Sequence, residues 1–169
     1  TDAAGQMATA INLNTGVHGA VADAFNTVTS KAKAHFNMTG VFVVNSATVA
    51  LSTSYSELVG NINEAASGLT AKLNEDNTIT LANTDGDDIM LEAGAAGTGL
   101  TDVGFTASTY AGFISLRNLN GSPVQIEAGN IANGYGATTS VATGTHSDLE
   151  TFGFMEVKNN EIESGIVSS

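Results

Sequence analysis

The chain has no cysteine, no tryptophan and a single proline in 169 residues. Without cysteine there is no thiol nucleophile, no disulfide and no thiolate metal site. Basic residues are also scarce: 5 Lys and Arg stand against 17 Asp and Glu, for a net charge of −12. Such a field repels phosphate, which argues against general nucleic-acid or anionic-membrane binding. Of the five cations, only Lys31 and Lys33 sit close together. No apolar run exceeds Val41-Phe42-Val43-Val44, too short to span a bilayer. No G-x-S-x-G elbow and no His-Glu-x-x-His pair occurs, so serine-hydrolase and zinc-protease signatures are missing.

Solubility therefore rests on uncharged polar side chains: 21 Thr, 16 Asn and 14 Ser. The length suits one domain or two small ones. Folding at this size removes roughly two-thirds of the unfolded surface from water, enough for a core without staples. A hydrophobic content of 42% with clear periodicity excludes general disorder. A start at Thr1 without Met, and without a signal peptide, reads as an excised fragment.

Periodicity assigns the elements. Residues 8–13 alternate and predict a strand. Val17, Ala20, Val21, Ala24, Phe25 and Val28 fall at i, i+3, i+4, i+7, i+8 and i+11, which predicts a helix with Phe25 in the core. Residues 32–38 alternate again and predict a half-buried strand. Residues 41–51 read as one strand or as a hairpin turning at Asn45-Ser46. Ser54-Tyr55-Ser56-Glu57 is a capping box, opening a helix that buries Leu58 and Ile62 and stops at Gly68. Strands follow at 69–73, 78–82 and 89–92, with turns at Glu75-Asp76-Asn77 and Asp85-Gly86.

An internal repeat is visible further on. Residues 79–94 align without gaps on 114–129, with seven of 16 positions identical. Each copy predicts a strand, a turn ending in Gly and a second strand ending in Glu-Ala-Gly. Leu100-Thr-Asp-Val-Gly-Phe105, a turn of helix stopped by Gly, is echoed by Leu149-Glu-Thr-Phe-Gly-Phe154. The Gly/Thr/Ala-rich stretch between Gly129 and Leu149 reads as a loop, and residues 158–169 as a polar, fraying tail.

The pattern across 41–92 resembles the IN motif of the outer domains of bacterial flagellins and hook-associated proteins. Its carriers are the Val-rich strand, the capped helix with Ile62-Asn63-Glu64-Ala65-Ala66, then Gly68-Leu69-Thr70-Ala71-Lys72-Leu73, Thr78-Ile79-Thr80-Leu81 and Asp85-Gly86. Residues 7–38 resemble a shorter relative of the same unit. The resemblance implies an extracellular, surface-exposed variable domain of the flagellar filament, without catalysis. The long terminal heptads that polymerise flagellin are not in this sequence. Partners would be flagellin subunits reached through those terminal regions, with host receptors or glycans as further candidates, and the isolated domain would be a monomer. Two alternatives stand beside it: a hook-associated or cap protein domain, and a carbohydrate- or host-binding adhesin module.

Chemistry candidates are few. His18, His35 and His146 are dispersed and read as solvated or core-edge residues. Gly134-Tyr135-Gly136 lacks the lysine of a phosphate loop and reads as a turn. The carboxylates of Asp85, Asp87, Asp88 and Glu92 form one weak calcium candidate, since hard oxygen ligands on a turn suit that ion. Glu92 comes too early for EF-hand order, so a solvated hairpin tip is expected. No catalytic residue, cofactor site or other metal site is assigned. Asn37-Met38-Thr39 and Asn120-Gly121-Ser122 are formal glycosylation sequons, read as coincidences in a bacterial protein, where the resemblance implies O-linked glycans instead.

The expected fold is α+β and strand-rich: two strand–helix–strand units plus repeated β-hairpins, helices on one sheet face. The whole of 1–169 is one outer region, with a candidate subdivision in which 38–105 is inserted into a unit formed by 1–37 and 106–169.

Overall fold

The structure, a computed structural model, describes residues 3–122 and 124. It is α+β and strand-rich, as the periodicity predicts, but its N-terminal third is wired differently. Ala3–Asn12 is helix α1, where a strand is expected over 8–13. Alanine is the best helix former. Ala4, Ala8 and Ile11 share one face at i, i+4 and i+7, a stripe that a window opening at residue 8 does not contain. A one-turn helix α2, Thr15–His18, ends at Gly19 with φ +76°, the left-handed stop that glycine adopts without strain.

Ala20–Thr29 is strand β1, in place of the helix expected over 17–28. Its even residues from Ala20 to Val28 face inward, while Asp23, Thr27 and Thr29 face water. Phe25 lies on that outer face, half-buried against Phe113, with ring centroids 5.8 Å apart. The expectation of a core Phe25 is thus corrected. Small alanines fill the inward positions because α1 lies directly over them. Residues 32–38, expected as a strand, form an irregular crossing. It is tied down by the Lys31 N–H bond to Gly104 O, by Phe36 set edge-on against Tyr55, and by buried Met38. The N-terminal strand–helix–strand unit does not exist in this form.

From residue 41 onward the expected strands and the helix are present, though not all of their pairings. β2 (Phe42–Val44) and β3 (Ala47–Val49) form a hairpin around Asn45-Ser46. Both turn residues have positive φ, +47° and +69°, which matches the right-handed twist of the strands. Helix α3, Tyr55–Ala65, starts where Ser54 Oγ accepts the Glu57 N–H at 3.2 Å. It is ended by Ala66 turning to extended backbone, so the expected stop at Gly68 is corrected, and Gly68, at φ +78°, belongs to the turn that follows. Leu58 and Ile62 are fully buried. β4 (Thr70–Leu73), β5 (Ile79–Asn83), β6 (Ile89–Ala93), one-turn α4 (Gly99–Asp102), β7 (Ser108–Tyr110) and β8 (Phe113–Asn118) complete the order.

The strands make two antiparallel sheets, β4-β5-β1-β8 and β3-β2-β6-β7. β1 pairs with β8 over residues 20–25 and with β5 over 26–29, so strands from 1–37, 38–105 and 106–169 share one sheet. One apolar cluster joins the inner faces of both sheets to α3 and α4, with Phe42, Ile62, Leu81, Ile89 and Leu100 among its members. A second, small cluster holds Ala4, Ala8, Ala22 and Ile114 under α1.

The first copy of the repeat is not a hairpin. β5 is already paired with β4 and β1, so it offers no open edge to β6, which pairs with β2 and β7 in the other sheet. Residues 84–88 are a crossover between sheets. In the second copy, β8 runs into a turn at Asn120-Gly121, where Gly121 has φ +77° and its N–H bonds Asn118 O at 3.1 Å. Its second strand, the echo at 149–154, the loop between Gly129 and Leu149, the tail, His146 and Gly134-Tyr135-Gly136 lie outside the described residues.

Candidate functional site

The crossover at 84–88 carries the acidic candidates and is held by two buried asparagines. Asn83 Oδ1 accepts the Gly86 N–H at 3.0 Å, and Asn83 Nδ2 donates to Asp87 O at 2.8 Å. Asn26, only 1% exposed in the middle of β1, donates through Nδ2 to Asp87 O at 2.9 Å and to Tyr110 O at 2.7 Å. Its Oδ1 has no partner. One side chain therefore ties the crossover to β7. Gly86, at φ +81°, packs against Ala24 and Ala4, and Gly112 lies against the Gly86 carbonyl with no room for a Cβ.

This framework does not gather the carboxylates. The Asp85 carboxylate accepts the Asp87 N–H at 3.1 Å, and Asp85 and Asp87 are exposed. Asp88 is half-buried, and Glu92 lies four residues along β6, about 13 Å away at strand spacing. Among the described residues no three His, Cys, Asp or Glu side chains are placed to share a metal ion. The expected hairpin tip is instead a seam between sheets.

Other carboxylates show how the acidic excess is accommodated. Thr39 gives both its N–H and its hydroxyl to Asp102 Oδ2, each at 2.7 Å. Thr53 does the same for Glu57 Oε2, each at 2.7 Å, and Thr78 for Asp76 Oδ1, at 3.0 and 2.7 Å. The Thr39 hydroxyl, then its N–H, with help from Lys33, holds Asp102 below the usual carboxylate range. Backbone and hydroxyl of Thr53 lower Glu57, and hydroxyl and backbone of Thr78 lower Asp76. In the capping box, Glu57 thus reaches back to Thr53, one residue beyond the cap.

Asparagine amides extend strand ladders. Asn12 on α1 bonds both the N–H and the C=O of Ala22, each at 2.8 Å, where β1 lacks β5 as neighbour. Asn63 on α3 does the same for Ala71 on edge strand β4, at 2.7 and 3.1 Å. His18 is structural: Nδ1 accepts the Ala20 N–H and Nε2 contacts Ile11 O, each at 3.1 Å. His35 is exposed. The outer face of sheet β4-β5-β1-β8 carries Thr27, Thr29, Thr70, Lys72, the two phenylalanines and an exposed Asp23–Arg117 pair at 3.4 Å.

Sequence reading missed Asn26, Asn83 and Gly112. The available signal was a lone Asn among the apolar positions of β1, a polar atom that burial obliges to find partners. No helix among the described residues is long and apolar enough to cross a membrane. Neither a protein-family model nor a curated protein sequence matches the chain.

Proposed function

We propose that this chain is a surface-exposed variable region of a bacterial flagellin, displayed outside the cell on the filament and carrying no catalytic site. The observation that carries the reading is the run of elements over 42–93. It comprises a two-residue hairpin at Asn45-Ser46, a helix capped by Ser54 and ending at Ala65, then three strands over 70–93. Two further features support it. The longest helix among the described residues has 11 residues, too short for the heptad packing that builds a filament wall. The apolar faces of both sheets meet in one cluster among the described residues, which supports the reading of a passenger domain.

Antibodies raised against the chain and followed by immunogold electron microscopy test this. Labelling along the whole filament is the expected result. Gold confined to the filament tip or the hook junction would favour a hook-associated or cap protein, and unlabelled flagella would sink the reading. A strain lacking residues 1–169, with the ends joined by a short linker, should still assemble filaments.

A further inference from the structure

We propose that Asn120 is a spontaneous modification site, converting to aspartate and isoaspartate through attack by its own neighbour. Asn120 is exposed at the turn after β8, and Gly121 follows it. In the reaction the Gly121 nitrogen loses its proton and adds to Asn120 Cγ. The C–N bond to the side-chain amide breaks, ammonia leaves, and a five-membered imide remains. Water then opens that ring at either carbonyl, giving aspartate or isoaspartate. The sum is one water in and one ammonia out, with no change of oxidation state.

Three observations place this chemistry at Asn120. Gly121 has no Cβ to crowd the attacking nitrogen, and no atom of the described residues lies within 4 Å of the place where one would sit. The Ser122 N–H donates to Asn120 Oδ1 at 2.9 Å. That oxygen is the atom that becomes an oxyanion when the nitrogen adds to Cγ, so the turn already holds a donor where charge develops. Among the described residues one hydrogen bond opposes attack: the Gly121 N–H bonds Asn118 O at 3.1 Å. It is exposed, and such a bond holds the nitrogen by about 1 kcal/mol.

Other described asparagines in turns lack this combination. Asn45 also has a donor on its amide oxygen, the Met90 N–H at 2.7 Å, but it is followed by Ser46, whose side chain crowds the attacking nitrogen. Asn77 is followed by Thr78, buried and β-branched. The product adds a negative charge beyond −12, and isoaspartate also inserts a methylene into the main chain beside the sheet.

Peptide mapping of the whole chain, aged in neutral buffer at body temperature, tests the proposal. The readout is the mass gain of amide-to-acid exchange at Asn120, with enzymatic methylation of isoaspartate as a second measure. Asn120 should convert at least as fast in the folded chain as in the same chain held in urea. Ser122→Pro keeps the Asn-Gly pair but removes the donor, and should slow conversion in the folded chain roughly fivefold, the worth of one exposed hydrogen bond. Circular dichroism checks whether this variant is folded; if it is not, the wild-type comparison with urea decides alone. Folding that protects Asn120 relative to urea, or a folded Ser122→Pro variant that ages at the wild-type rate, would overturn it.

Discussion

Ala4, Ala8 and Ala22 close the seam under α1 largely with methyl groups, whereas Phe42, Leu58, Ile62, Leu81 and Ile89 fill the space between the sheets. Burying one of the large side chains stabilises by about 1.5–3 kcal/mol, and a single methyl by ~0.8 kcal/mol. Ile114 is the one large side chain buried in the small cluster. Helix α1 is therefore attached by close approach of small groups more than by apolar area, and by the Asn12 clamp on Ala22. Helix α3 is anchored by Leu58 and Ile62, both fully buried. The contrast predicts different levels of local stability for the two helices, with α1 opening before α3 in amide exchange.

The strongest way to break the main cluster is Ile62→Ala, expected to cost about 2–5 kcal/mol in chemical melts. Phe25→Ala sharpens the comparison from the other side. On its half-exposed face the loss should be about 1 kcal/mol, near half the transfer value for a buried ring. Equal losses for the two variants would contradict the placement of β1. Gly112→Ala strikes the seam between the clusters. Its methyl must displace the Gly86 carbonyl, at a cost of about 1–3 kcal/mol. Amide exchange should show that cost concentrated in α1 and residues 84–88, with α3 unchanged. Ala8→Gly combines poorer helix propensity with a lost contact and should cost about 1 kcal/mol, again read first in the amides of α1.

Acid gives the smallest effect. Asp102, Asp76 and Glu57 are all held below the usual carboxylate range by threonine hydrogen bonds. A depressed folded value means that the unfolded chain binds the proton first. The stabilisation is thus complete above the unfolded carboxylate range and declines as pH falls through the folded values. Asp102→Asn should flatten the acid limb of stability against pH; a limb unchanged in shape would remove Asp102 from the account.

How much of this was legible in the sequence depends on how far apart the partners lie. The Ser54 cap and the Asn45-Ser46 turn are set within a few residues and are readable, the turn as one of two readings of 41–51, whereas Gly68 lies beyond the end of α3, which Ala66 closes. β1 was misread because α1 forces small residues into its inward positions. Ala20, Ala24 and their apolar neighbours then satisfy a helical stripe as well as a strand, and only tertiary packing decides between them. The segment 84–88 reads locally as a hairpin because the occupancy of β5's edges is set by β1, some fifty residues earlier. Asn26 reaches partners 61 and 84 residues away, which no local pattern announces. The four acidic candidates were visible as a cluster in sequence, yet strand geometry carries Glu92 away from the rest.

The threonine-held carboxylates have a consequence for the medium in which the chain works. A protein that ties its acidic groups to lysines loses part of that attraction as ionic strength rises, because exposed ion pairs are screened. Here the donors to Asp102, Glu57 and Asp76 are chiefly neutral hydroxyls and main-chain amides, whose short-range bonds are little affected by dissolved ions. What remains for salt to act on is the mutual repulsion of a −12 chain. Brine should therefore firm this fold, and fresh water should loosen it.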